Sequence, residues 1–217
     1  MTGRTLVVET ASEACSIALF EGEELLAHDH RVLGRGHAER LIPMIEALPD
    51  KGRAKTILTS LGPGSFTGVR IGIAAARALG VAWGAKVMGY PTLSLIAAIA
   101  RHDARMPSDA KQVTVCVNGG HGEWFVQDFD RNGLPEGAAE SLAPEAAAAR
   151  GSYACIAGNR AEEFRDSMKD ELFGAFNILP DASRADLLPK PLITGDLSPI
   201  YGRAPDAKPQ QQPVGIS

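Results

Sequence analysis

The run Gly62-Pro63-Gly64-Ser65-Phe66-Thr67-Gly68-Val69-Arg70-Ile71-Gly72 constrains this chain more than any other. It follows an apolar stretch, Thr56 to Leu61, and opens into a helical pattern that reaches Trp83. Strand, glycine-rich turn and helix in that order set backbone N–H groups at the positive end of a helix dipole. Such a turn holds an anion or brings two backbones into close contact. The phosphate-loop form G-x-x-x-x-G-K-[ST] is excluded, because no Lys-Ser or Lys-Thr pair follows any of these glycines. The dinucleotide form G-x-G-x-x-G fails as well, since Thr67 stands where the third glycine belongs. Gly68, Gly72, Ala76 and Gly80 recur every four residues and so share one helix face. A glycine inside a helix costs about 1 kcal/mol relative to alanine, so three on one face favour a close neighbour over a bound phosphate. Whether that neighbour belongs to this chain or to a partner stays open.

The 217 residues suffice for one large domain or two small lobes with a real core. A net charge of -4 gives no basic footprint of the kind a stand-alone nucleic-acid binder shows, so any nucleic acid would be held by another subunit. Cys15, Cys116 and Cys155 are far apart, form no C-x-x-C pair and sit in apolar, strand-like settings. They read as buried, inert thiols of a reducing compartment. Met1-Thr2-Gly3-Arg4 leads into a short strand, not a long apolar leader core. The longest apolar tract, Ile71 to Trp83, is interrupted by Arg77 and too short to span a bilayer. A cytoplasmic protein without a membrane partner is expected.

The pattern predicts strands over 5–9, 15–20 and 25–31, a tight turn at Glu21-Gly22-Glu23, and a break at Gly34-Arg35-Gly36. A helix follows, with Leu41, Ile42, Met44, Ile45 and Leu48 at helical period and Pro43 early in it. Then come a strand over 56–61, the glycine turn and its helix, a strand over 86–90 and a helix over 92–104. Three strands in a meander, then helix and strand in alternation, predict a mixed α/β sheet with helices on its faces. A second unit starts near Met106-Pro107-Ser108. Its strands over 111–117 and 123–130 are joined by Asn118-Gly119-Gly120-His121-Gly122, a hairpin signal. Helices over 143–150 and 160–172 and strands over 153–157 and 175–179 complete it. The tail from Ala204, with Pro-Gln-Gln-Gln-Pro, has too few apolar residues to fold and is expected to be disordered.

Several of these segments together resemble the TsaB (YeaZ) family: Glu9-Thr10-Ala11-Ser12-Glu13-Ala14-Cys15-Ser16-Ile17-Ala18-Leu19, His37-Ala38-Glu39-Arg40-Leu41-Ile42-Pro43, the turn from Gly62 to Gly72, Tyr90-Pro91-Thr92-Leu93 and Pro199-Ile200-Tyr201-Gly202-Arg203. The resemblance is strong over the first hundred residues and thin from Ala104 to Asp196. It implies a two-lobed, actin-like ATPase (ASKHA, ribonuclease H-like) fold with mixed sheets flanked by helices. The N-terminal lobe would be 1–105, the divergent C-terminal lobe 106–203 and the tail 204–217. It also implies a role in making threonylcarbamoyladenosine beside the anticodon of ANN-decoding transfer RNA. In that role the chain would dock on and activate a TsaD-like transferase, joined by a TsaE-like ATPase. It would form a homodimer when TsaD is absent and meet transfer RNA only through the complex.

The residues speak for a non-catalytic member. Actin-like ATPases use D-x-G-T after the first strand, where the aspartate handles metal and water and the glycine lets the backbone meet phosphate. Here Glu9-Thr10-Ala11-Ser12 has a longer acid and a β-carbon in place of the glycine. Glu9 also departs from the aspartate usual in TsaB, and reads as a hydrogen-bonded strand-end acid. The H-x-x-x-H metal pair of TsaD maps onto Thr92 and Ile96, and isoleucine cannot coordinate a metal. His37 is the remaining candidate ligand, but Arg40 and Leu41 stand where a second histidine would be needed. His28, His30, His102 and His121 read as surface residues. Ser65 is not in a G-x-S-x-G elbow, and both Ser65 and Thr67 read as helix caps. Asn118 and Gly120 replace the ends of the family's usual Asp-Ala-Arg, next to Glu123.

No catalytic residue, metal ligand or cofactor of its own is expected, although a nucleotide shared at the partner junction is consistent with the family. The expected partner interface is His37, Leu41, Met44 and Ile45 of the first helix with Gly68, Arg70, Gly72, Ala76, Arg77 and Gly80 of the second. The rival reading is a self-contained glycoprotease-like peptidase or ATPase; a homodimer with an unrelated binding role is another. A small-residue stripe packed only on the chain's own sheet is the competing account of the glycines.

Overall fold

In a computed structural model of the chain, residues 3–105, 111–169 and 174–202 are described. The expected boundary at Met106-Pro107-Ser108 and the tail from Ala204 lie outside them.

The first lobe runs β1 (Arg4–Glu9), β2 (Ala14–Glu21), β3 (Glu24–Val32), α1 (His37–Ala47), β4 (Thr56–Ser60), α2 (Phe66–Trp83) and β5 (Lys86–Tyr90). Its sheet has the order β3-β2-β1-β4-β5, antiparallel through the meander and parallel from β1 across β4 to β5. After α3 (Thr92–Arg101) the second lobe repeats the plan: β6 (Val113–Gly120), β7 (Glu123–Phe129), β8 (Glu140–Leu142), α4 (Pro144–Arg150), β9 (Cys155–Ala157), α5 (Ala161–Met168) and β10 (Gly174–Phe176). The order β10-β9-β6-β7-β8, with β9 and β10 parallel and β7 and β8 antiparallel, is the same pattern in reverse listing. Two β-β-β-α-β-α-β units in tandem make the two-lobed actin-like, ribonuclease H-like fold. The three-residue β8 has no sequence signal of its own, because Glu140-Ser141-Leu142 is too short to alternate.

The layers follow from which faces are apolar. Leu6, Val8, Cys15, Ile17 and Leu19 face α1 and α2 on one side of the first sheet. Val7, Ala18, Phe20 and Tyr90 face Leu95 on the other. Strands buried on both faces need continuous apolar runs, and β1 and β2 have them. Helix α3 is shared. Its Leu93, Ile96, Ala97 and Ala100 pack into the second sheet's core with Val113, Val115 and Phe129, so the helix is sandwiched between the lobes. The far side of the second sheet is covered by α4 and α5 through Ala147, Ala161 and Phe164.

One expected boundary is corrected. The segment after β10 does not stay with the second lobe. Ala182, Ala185 and Leu188 pack on the first sheet, Thr194 pairs with Gly89 beside β5, and Ile200 N–H donates to Leu61 O at 2.7 Å. The first lobe is therefore built from both halves of the sequence, which a linear reading cannot show.

Candidate functional site

The parallel strands β1, β4 and β5 end side by side at Glu9, Ser60 and Tyr90. In open α/β sheets, the carboxyl ends of parallel strands are where ligands bind. Here the chain's own groups fill that place. Glu9 is fully buried; its Oε1 accepts from Ala11 N–H at 2.7 Å and its Oε2 from Tyr90 Oη at 3.1 Å. Thr10 N–H meets Ser60 Oγ at 3.4 Å, and Thr92 Oγ1 accepts from Gly62 N–H at 3.1 Å. Burial pushes the Glu9 carboxyl up to about 7, against the lowering effect of its hydrogen bonds to Ala11, Ser60 and Tyr90. Burial and the neighbouring Glu9 raise the Tyr90 hydroxyl. The strand-end acid is locked into the core rather than presented to solvent.

The glycine turn caps this plug. Ser65 N–H donates to Ala11 O at 2.7 Å, which ties the turn to the β1–β2 connection. Ser65 Oγ accepts from Gly68 N–H at 3.1 Å, so Ser65 is the N-cap expected of it. Thr10 Oγ1 donates to Gly68 O at 2.8 Å. A β-carbon added to Gly64 would lie 2.1 Å from Ala11 O, and one on Gly68 2.0 Å from Thr10 O. The glycines exist for close approach, and the backbone they approach is this chain's own.

That geometry sets eight of the ten residues of the expected partner interface against the chain's own core. Gly72 lies against Thr10 and Thr59, Gly80 against Val87, and Ala76 is wholly buried. The stripe faces the first sheet, where the helix must sit low for the strand ends to close. His37, Leu41, Met44 and Ile45 are also buried; the last three belong to the core beneath α1, and His37 Nε2 lies 3.2 Å from Ala14 O. All eight are buried within this chain. Arg70 and Arg77 are on the opposite, exposed face of α2. The periodicity located the buried faces, and within this chain the neighbour of both is its own sheet.

The exposed face has its own pattern. Val81 is 87% exposed and Phe66 65%, with Arg70, Ala74, Arg77 and Ala78 between them. The Arg70 guanidinium stacks 3.3 Å from the Phe66 ring centroid and donates to Tyr201 Oη at 2.6 Å. This cluster stands at the mouth of a cavity of about 930 Å³ between the lobes. Ala11, Glu13, Pro63 and Val69 form one wall; Val117, Asn118, Phe125 and Asn159 form the other. Sequence reasoning missed the cavity because its walls come from segments far apart along the chain.

Other candidates resolve into structure. Asn118 Oδ1 accepts from Gly120 N–H, shaping the β6–β7 hairpin, and Glu123 Oε2 accepts from Ser141 Oγ on β8. A Ser-Asp-His group does occur, but in the wrong order for a nucleophile. Ser16 is fully buried, donates to Asp181 Oδ1 at 3.2 Å and accepts from Ala182 N–H, while His30 Nδ1 lies beyond the aspartate at 3.8 Å. The thiols of Cys15 and Cys155 are raised by burial to about 11, and that of Cys116 is raised further by the same cause. Among the described residues, no three His, Cys, Asp or Glu side chains gather in a metal-holding group, and no helix is long and apolar enough to cross a membrane.

The fold and the filled strand ends define a two-lobed actin-like protein whose parallel-strand ends are closed by its own side chains. A family model described as TsaD: tRNA N6-adenosine threonylcarbamoyltransferase matches residues 31–150. The chain is 35% identical over 141 residues to the tRNA threonylcarbamoyladenosine biosynthesis protein TsaB of Escherichia coli, covering 62% of this chain and 59% of that one. It is 40% identical over 98 residues to TsaB of Haemophilus influenzae, covering 42% and 40% respectively. The match thus spans less than two thirds of the length of these curated relatives. The solved structure of YeaZ from Pseudomonas aeruginosa superposes with a TM-score of 0.74 over 93% of this chain and 100% of that one, at 24% identity, and shares its fold. The chain belongs to the TsaB (YeaZ) family, within the group that the threonylcarbamoyltransferase model describes.

Proposed function

We propose that this protein is a non-catalytic partner subunit in the threonylcarbamoyladenosine modification of transfer RNA, docking on and ordering a TsaD-like transferase. One observation carries the reading: the strand-end position where an actin-like enzyme presents its acid to substrate is a sealed plug of Glu9, Tyr90, Ser60 and the glycine turn. A carboxyl with no solvent access, tied to the chain's own N–H and O–H groups, has no water within reach to polarise. What the helix offers the outside is surface. The outer face of α2, with Phe66, Arg70, Ala74, Arg77 and Val81, combines exposed apolar area with two cations, the mix that protein interfaces use. The docking face is therefore the outer side of α2, not the buried stripe. The same face would pair two copies when the transferase is absent, and a TsaE-like ATPase and the transfer RNA would join through the complex. The test mixes the purified chain with a TsaD-like subunit and follows size-exclusion and transfer of the threonylcarbamoyl group. A mixed complex with activity that neither chain shows alone is expected. ATP or peptide hydrolysis by this chain alone, lost on Glu9→Ala, would overturn the reading.

A further inference from the structure

A charge-assisted contact joins the two lobes across the cavity. Asn159, in the turn between β9 and α5, donates its Nδ2 to Glu13 Oε2, in the turn between β1 and β2, at 2.7 Å. The amide is not free to rotate. Its Oδ1 accepts from Asn118 N–H at 3.0 Å, which orients the NH₂ toward the first lobe. The backbone that carries the acceptor is fixed as well, because the Glu13 main-chain carbonyl takes both Leu33 N–H and Gly34 N–H at 2.9 Å and holds the turn against the end of β3. Glu13, Asn118 and Asn159 all line the cavity. A pre-oriented donor facing a carboxylate carried on a fixed backbone loses less entropy than two free side chains would, so the bond is placed to hold two bodies together. Elsewhere the lobes share α3, whose two faces are packed into both cores and which acts as the fixed edge.

We propose that the Glu13–Asn159 hydrogen bond is a latch that keeps the lobes closed over the cavity, with α3 as the hinge side. When the latch is broken the cavity opens at the β1–β2 and β6–β7 turns while both cores stay intact. A charge-assisted hydrogen bond of this kind stabilises the closed form by about ten- to a hundredfold in the opening equilibrium. The latch makes no use of the partner surface, so it stands or falls separately from the docking proposal.

Amide hydrogen exchange of the isolated chain tests it. Asn159→Asp keeps the acceptor for Asn118 N–H and sets a carboxylate against Glu13, so exchange over residues 10–14, 62–66 and 117–121 should rise at least about tenfold. Amides of β4, β7 and α2 beyond Gly72 should stay at the wild-type rate. Glu13→Gln retains an accepting oxygen and should fall between the two. Unchanged exchange at the cavity turns in Asn159→Asp overturns the latch. So does a uniform rise across the chain, which would mean that the bond only adds global stability.

Discussion

Tyr90 Oη lies 3.1 Å from Glu9 Oε2, and neither residue is accessible to solvent. The extra methylene of Glu9, compared with aspartate, lets a β1 side chain reach the end of β5, two strands away across β4. Burial outweighs the hydrogen bonds from Ala11, Ser60 and Tyr90, which is why the carboxyl is held at about 7.

Stability should therefore fall with rising pH through that group. Below 4.5 both the folded and unfolded states hold the proton; between 4.5 and 7 the folded state alone does; above 7 the folded state carries the full cost of a buried charge. A shift from 4.5 to about 7 corresponds to roughly 3 kcal/mol. Glu9→Gln removes the titration and keeps an acceptor for Ala11 N–H. Relative to wild type it should gain stability from pH 4.5 to about pH 7 and level off above that in urea unfolding. Parallel profiles for the two proteins would show that the carboxyl is not held protonated.

The glycine stripe gives a second prediction. Gly72→Leu sets a side chain into Thr10 and Thr59, and Gly68→Ala sets a methyl into the Thr10 carbonyl. Each should lower the unfolding free energy of the monomer by about 3 kcal/mol or more, at the upper end for overpacked cores. Ala78→Leu, on the outer face of the same helix, should stay within about 0.5 kcal/mol. If all three variants melt like the wild type, the stripe is not seated on the sheet as described.

Docking should respond to the other face. Val81→Glu and Arg77→Glu change exposed positions, so thermal unfolding should be unaffected. Each should weaken binding to a TsaD-like subunit at least about tenfold, or about 1.4 kcal/mol, by calorimetry. Unaltered affinity in the double variant would move the docking site off α2.

Local pattern carried much of the fold. β2 and β5 alternate or run apolar over lengths that leave little freedom, and α2 is bounded by a capping serine and by Gly84 in the left-handed conformation. The glycines announced close contact but not with what, since a helix face gives the size of its neighbour and not its identity. Leu41, Met44 and Ile45 show the same limit: an apolar stripe reads alike whether it meets a core or a partner. Contacts such as Glu13 with Asn159, 146 residues apart, or Ser16 with Asp181, have no local signal, because each residue alone reads as an ordinary turn or strand polar group.

Tyr201 is the remaining long-range tie that can be weighed on its own. Its hydroxyl accepts from Arg70, whose guanidinium also lies over the Phe66 ring, and the backbone just before it donates through Ile200 N–H to Leu61 O. The returning segment is thereby strapped across the start of α2 and against Phe125 of the second lobe, where a β-carbon on Gly202 would lie 2.4 Å from the ring. Tyr201 is 53% exposed, so the stacking and hydrogen bond act in wet surroundings and are worth about 1 kcal/mol, or about fivefold in local opening. Tyr201→Ala should raise exchange of Ile200 N–H by that factor while leaving Thr194 N–H, paired with Gly89 O, at its wild-type rate. Tyr201→Phe keeps the ring and loses the hydroxyl, and should give a smaller rise. Equal protection in all three proteins would mean that Pro199 and the Leu61 carbonyl alone hold the strap, and that Arg70 is free to serve the partner face instead.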